Sequence, residues 1–84
     1  MKESIARIVN DWDPIELFPG APDDEYNREI HEIFEIFIES DDVNVEQLRD
    51  HIYYVFHDAF DETFTRTLEE CKVIAIRILS TCTS

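Results

Sequence analysis

The chain has 84 residues, 20 of them acidic and 7 basic, for a net charge of −13. That charge opposes nucleic acid and anionic lipid and suits a basic protein surface or a cation. No apolar run approaches the ~20 residues of a membrane span, and 44% hydrophobic residues place the chain among folding sequences, as one acidic helical domain over residues 1–84.

The first helix follows Ser4, with Ile5, Ile8, Val9 and Trp12 at the i, i+3, i+4, i+7 spacing of one apolar face. The N-terminus, MKESIARIVNDW, lacks the uninterrupted apolar core of a signal peptide. Residues 12–26, WDPIELFPGAPDDEY, hold the only tryptophan, the only glycine (Gly20) and all three prolines (Pro14, Pro19, Pro22). Asp13-Pro14 ends the helix and opens a fresh turn, and Pro19-Gly20 turns the chain again. The segment reads as a structural clamp and loop between the first two helices, its acids Asp23, Asp24 and Glu25 leading into the second.

The second helix spans Tyr26 to Glu39. Ile30, Ile33, Phe34, Phe37 and Ile38 are expected on its core face, and Arg28, Glu32, Glu35 and Glu39 on the opposite one, with Ile36 projecting among the glutamates. The third helix starts at Asn44, an N-cap with Gln47 at N3 as in a capping box, and Val43 stapled to Leu48. Val45, Leu48, Ile52, Val55, Phe56 and Ala59 form its expected core face; Asp50, Tyr54, His57 and Asp61 face away. Phe60 and Phe64 fall in or beside the next connection. The fourth helix follows Thr67, with Glu70 at N3. Its run VIAIRIL, Val73 to Leu79, is apolar nearly all round and predicts the most buried helix of the set. The fold expected is an all-α, four-helix bundle-like domain with a core from Ile8, Trp12, Phe34, Phe37, Ile52, Phe56, Cys71, Ala75 and Ile78.

The WDP tripeptide, Tyr26 followed by Glu29-Ile30, and the late CKVIAIRIL together give the chain a resemblance to the YugE-like proteins, small helical bacterial proteins grouped as a domain of unknown function. The resemblance implies a compact cytoplasmic helical domain and transfers no catalytic residue.

Catalysis needs a nucleophile beside a base, a pair of tuned carboxylates or a spaced ligand set. Cys71 and Cys82 lie eleven residues apart on one helix, about 16 Å by helical rise, out of disulfide reach. They read as free thiols in a reducing cytoplasm, with Cys71 a buried structural thiol. His31 with Glu35 and His57 with Asp61 are i, i+4 pairs that read as surface ion pairs rather than zinc ligands. The acidic runs lack the spacing and glycine of a calcium loop, and one glycine cannot build a phosphate cradle. The expectation is a protein that is not an enzyme and holds no metal or cofactor.

What the residues favour is binding. Twelve acids lie between Asp11 and Asp42 against the single base Arg28. Glu32, Glu35 and Glu39 recur at i+3 and i+4, where like charges oppose the helix; a basic partner would relieve them. Asp23, Asp24, Glu25, Glu32, Glu35, Ile36, Glu39, Asp41, Asp42 and Tyr54 are the candidate partner-binding residues, with Ile36 and Tyr54 as anchors. Size, charge and helical character are similar to bacterial immunity proteins, in which carboxylates occupy a basic nuclease cleft. The alternative is a structural adaptor or homodimer using Ile36 and the apolar fourth helix.

Overall fold

The structure is a computed structural model that describes residues 2–16, 20, 25–40 and 42–82. The described residues form four α-helices, α1 (Lys2–Trp12), α2 (Asn27–Glu39), α3 (Val45–Phe60) and α4 (Leu68–Cys82), with a 3-10 turn at Asp61–Thr63. The described residues contain no strand. α1 packs on α2 and α4, and α3 packs on the same two helices, so the four form a closed ring around one core, with α3 against α4 the most extensive pair. The body measures 35 × 22 × 19 Å.

Helix starts follow the capping chemistry. Asn44 Oδ1 accepts from the Gln47 N–H at 2.8 Å, and Gln47 Oε1 accepts from the Asn44 N–H at 3.1 Å, a complete capping box. Thr67 Oγ1 accepts from the Glu70 N–H at 3.2 Å and opens α4. The first helix departs from expectation by including Ser4 and beginning at Lys2.

Ile5, Val9, Ile30, Ile33, Leu48, Ile52, Phe56, Cys71, Ala75 and Ile78 are fully or almost fully buried. Trp12, Phe34 and Phe37, expected at the centre, are half-buried and pack against this core from its edge. Burial, with the charge of Glu70 adding, pushes the Cys71 thiol up to about 12, so it stays protonated. The side chain of Cys82 lies outside the described residues.

Residues 12–16 do act as a clamp. Asp13 sits at φ 46°, past the end of α1, and its carboxylate accepts a 2.6 Å hydrogen bond from the hydroxyl of the fully buried Tyr26. The same hydroxyl oxygen accepts from the Ile15 N–H at 3.4 Å. Pro14 is buried, and its carbonyl accepts from Arg66 Nε at 2.9 Å, tying the turn to the approach of α4. Trp12 meets Phe56 and Phe64 edge-on, with centroids 5.6 and 6.1 Å apart, while Tyr26 meets Phe56 and Phe60 edge-on. These are the favoured T-shaped contacts of aromatic rings. Phe56, which also stacks on Phe60 and Phe64, is the hub of this end of the bundle. The Pro19 turn falls outside the described residues, apart from Gly20.

Three expected faces are corrected. Ile38 is 64% exposed and Ile36 is half-buried against the core, the reverse of the expected order. At about 100° per residue, Ile36 lies only about 60° from Ile33 around the helix, whereas Ile38 lies about 140° away. Ala59 is exposed rather than in the core face of α3. Finally, α4 is not the most buried helix: among the described elements it packs only against α1 and α3, so the stripe Cys71, Ile74, Ala75 and Ile78 is covered while Leu68, Val73 and Ile76 face outward.

Candidate functional site

The antiparallel pair α2 and α3 leaves an open groove along its outer seam, about 500 Å³ in volume. From α2 come Glu32, Glu35, Ile36 and Glu39; from α3 come His51, Tyr54, Val55 and Asp58. Five of the candidate residues read from sequence (Glu32, Glu35, Ile36, Glu39 and Tyr54) therefore line one surface. Their spacing explains it: 32, 35, 36 and 39 repeat at three and four residues, and so do 51, 54, 55 and 58, so each set forms one flank of the seam. Ile36 and Val55 form the apolar floor, and Tyr54, 66% exposed, stands at the rim.

Polar contacts fix the seam. His51 Nε2 lies 2.8 Å from the Glu32 carbonyl oxygen, which can only accept, so the imidazole donates and pins α3 to α2. Glu32 meets Arg28 at 3.6 Å along α2. Glu35 meets His31 Nε2 at 3.3 Å, at the expected i, i+4 spacing, and Lys2 Nζ lies 3.2 Å from His31 Nδ1. Glu39 and Asp58 have no ion-pair partner among the described residues. The expected pair of His57 with Asp61 is absent among them as well. Asp61 has left the helix at φ 48°, which removes the i, i+4 geometry, and His57 stacks on Tyr53 instead.

A smaller hollow of about 290 Å³ continues the groove toward the aromatic end and is lined by Glu25, Arg28, Glu29, Glu32, Asp58, Ala59 and Phe60. Glu29 is the residue that sequence reasoning missed. It is 5% exposed, and its Oε1 has no hydrogen-bond partner among the described residues. Burial raises its carboxyl above the ordinary glutamate range, and the charges of Glu32 and Glu25 push the same way, against its own backbone N–H and Arg28. The signal was available, since Glu29 lies four residues before Ile33, within the buried stripe of α2. His51 and Asp58 were also missed.

The remaining candidates are not brought together. Asp23, Asp24 and Asp41 lie outside the described residues, and Asp42 is exposed, its N–H donating to Ser40 Oγ at 3.4 Å, beyond the groove lining. Among the described residues no three His, Cys, Asp or Glu side chains are grouped to hold a metal ion, and no helix is long and apolar enough to cross a membrane.

No curated protein and no solved structure matches the chain. One family does, over residues 4–84, almost the full length. With its four helices, its clamp and its acidic seam, the chain belongs to the family described as Domain of unknown function (DUF1871).

Proposed function

We propose that this domain is a non-catalytic binding module whose α2/α3 groove receives a basic protein. One observation carries the reading: Glu39 and Asp58 stand without ion-pair partners among the described residues, beside Glu32 and Glu35, over an apolar floor and next to an exposed tyrosine. Like charges so close destabilise the free helix pair by a few tenths of a kcal/mol each, and a Lys/Arg-lined surface reverses that sign. In the immunity-type form of this reading, the carboxylates take the place of substrate phosphates in a nuclease-like cleft. The resemblance to the YugE-like bacterial proteins and the buried reduced thiol of Cys71 support a cytoplasmic setting.

The test is kinetic. The basic protein retained on the immobilised domain from native extract is measured against the wild type and against Glu32→Lys/Glu35→Lys/Glu39→Lys. Association slows tenfold or more in the triple variant, and its salt dependence flattens. Unchanged association at low salt would reduce the groove to a solvated surface. Tyr54→Ala should speed dissociation with little effect on folding. It is a cleaner probe than Ile36→Ala, because Ile36 also packs on the core.

A second reading, a homodimer or adaptor, is favoured by Leu68, Val73 and Ile76 exposed on α4. Sizing at two salt concentrations separates the two: apolar self-association survives high salt, whereas the acidic contact weakens.

A further inference from the structure

The hollow beside the groove is chemically narrower than the groove itself. Glu25, Glu32 and Asp58 line the same hollow as a fourth carboxylate, Glu29, which is 95% removed from solvent and has an oxygen with no hydrogen-bond donor among the described residues. A buried carboxylate oxygen left without a donor is expensive, because the group loses water and gains nothing in return. The chain's own cation at this place, Arg28, does not resolve it: the guanidinium meets Glu32 at 3.6 Å and is 86% exposed. An apolar residue at this position would avoid the cost altogether, and a glutamine would avoid the charge though not the unmatched oxygen, so the carboxylate calls for a donor from outside.

We infer that this hollow is the receptor for one guanidinium group, an arginine side chain of the basic partner, with Glu29 as its buried acceptor and Phe60 as its apolar wall. The inference rests on the binding-module reading and names the chemistry at one end of that site. Three observations select arginine over other cations. Among the described residues no three carboxylates are grouped to chelate a metal ion, so a cation that meets more than one of them does so through separate donors. A guanidinium does so with a planar fork of five N–H groups, whereas an ammonium is a compact point charge. Phe60 adds an aromatic ring, and arginine favours such rings. At about 290 Å³ the hollow has room for roughly ten waters' share of liquid volume, enough for one long side chain and too little for a folded segment.

The test uses the full chain and three small probes: the N-acetyl methylamides of arginine, lysine and citrulline, the last keeping arginine's shape without its charge. In an amide NMR titration, the arginine probe should saturate and shift Glu29, Glu32 and Phe60, with lysine and citrulline at least tenfold weaker. Glu29→Gln should weaken the arginine probe at least tenfold while raising the melting temperature of the free protein. Asp58→Asn, at an exposed position, is a second variant expected to weaken the probe severalfold without affecting folding. Glu39→Lys, which lines the groove and not the hollow, should leave probe binding unchanged and slow association with the protein partner. Equal binding of lysine or citrulline, shifts spread evenly over the acidic surface, or wild-type affinity in Glu29→Gln each overturn the guanidinium receptor and leave the groove reading standing. A saturating arginine site together with an unaltered partner association in Glu39→Lys supports the receptor and removes the groove.

Discussion

The clamp at residues 12–16 and the acidic seam between α2 and α3 handle polar groups in opposite ways. In the clamp each of the polar groups named has its partner within the chain: Asp13 takes the Tyr26 hydroxyl, that hydroxyl takes the Ile15 N–H, and the Pro14 carbonyl takes Arg66. Along the seam, among the described residues, Glu39 and Asp58 lack ion-pair partners and Glu29 is buried with an oxygen unmatched. Paired polar groups specify the fold. Unpaired charges gathered on one surface oppose it, so the seam carries features that folding alone does not require.

The largest loss of stability is expected at the clamp's aromatic hub. Phe56→Ala, at a fully buried ring touching Trp12, Tyr26, Phe60 and Phe64, should cost about 3–5 kcal/mol in chemical denaturation. A smaller loss is expected from Tyr26→Phe, which keeps the ring and removes only the hydroxyl that donates to Asp13. About 1.5–3 kcal/mol is the usual scale for a hydrogen bond to a charged group. A double-mutant cycle with Asp13→Ala should recover a coupling of that order. If Tyr26→Phe is neutral, the clamp owes its strength to ring packing alone.

The seam should respond with the opposite sign. Glu29 has a raised carboxyl in the folded state, so the folded chain holds its proton to higher pH than the unfolded chain does. Its contribution is therefore absent below the ordinary value of 4.5 and grows increasingly unfavourable as pH climbs through the raised value. Glu29→Gln should gain stability relative to wild type across that window and hold a constant advantage above it, read from denaturation midpoints at successive pH values. A variant equally stable at all pH would mean that Glu29 is solvated in solution.

Most of the fold was legible because its signals are local. The Asn44–Gln47 box, the Thr67 cap and the heptad-like spacing of Ile5, Ile8 and Val9 each depend on neighbours within one helix. The errors arose where a second helix decides. Ile36 and Ile38 differ only in angle around α2, and it is α3 that covers one and leaves the other bare. The apolar run of α4 suggested burial on all sides, yet a helix in a four-membered ring has just two neighbours, so Val73 and Ile76 stay outside. Along the site, the i+3 and i+4 repeat revealed Glu32, Glu35 and Glu39, while His51 and Asp58 could not be matched to them without the register of α3 on α2. Glu29 was hidden by its charge, being an acid at an apolar position of the repeat.

Cys71 gives the domain an internal clock. Only the thiolate reacts with alkylating reagents, and this thiol is fully shielded and protonated up to about 12. Modification at Cys71 must then wait for α4 to part from the core, so its rate, resolved from that of Cys82 by peptide mass, reports how often the closed ring opens. That rate needs no engineered probe and no partner. It can be followed in the native protein while the clamp and the seam are altered one residue at a time.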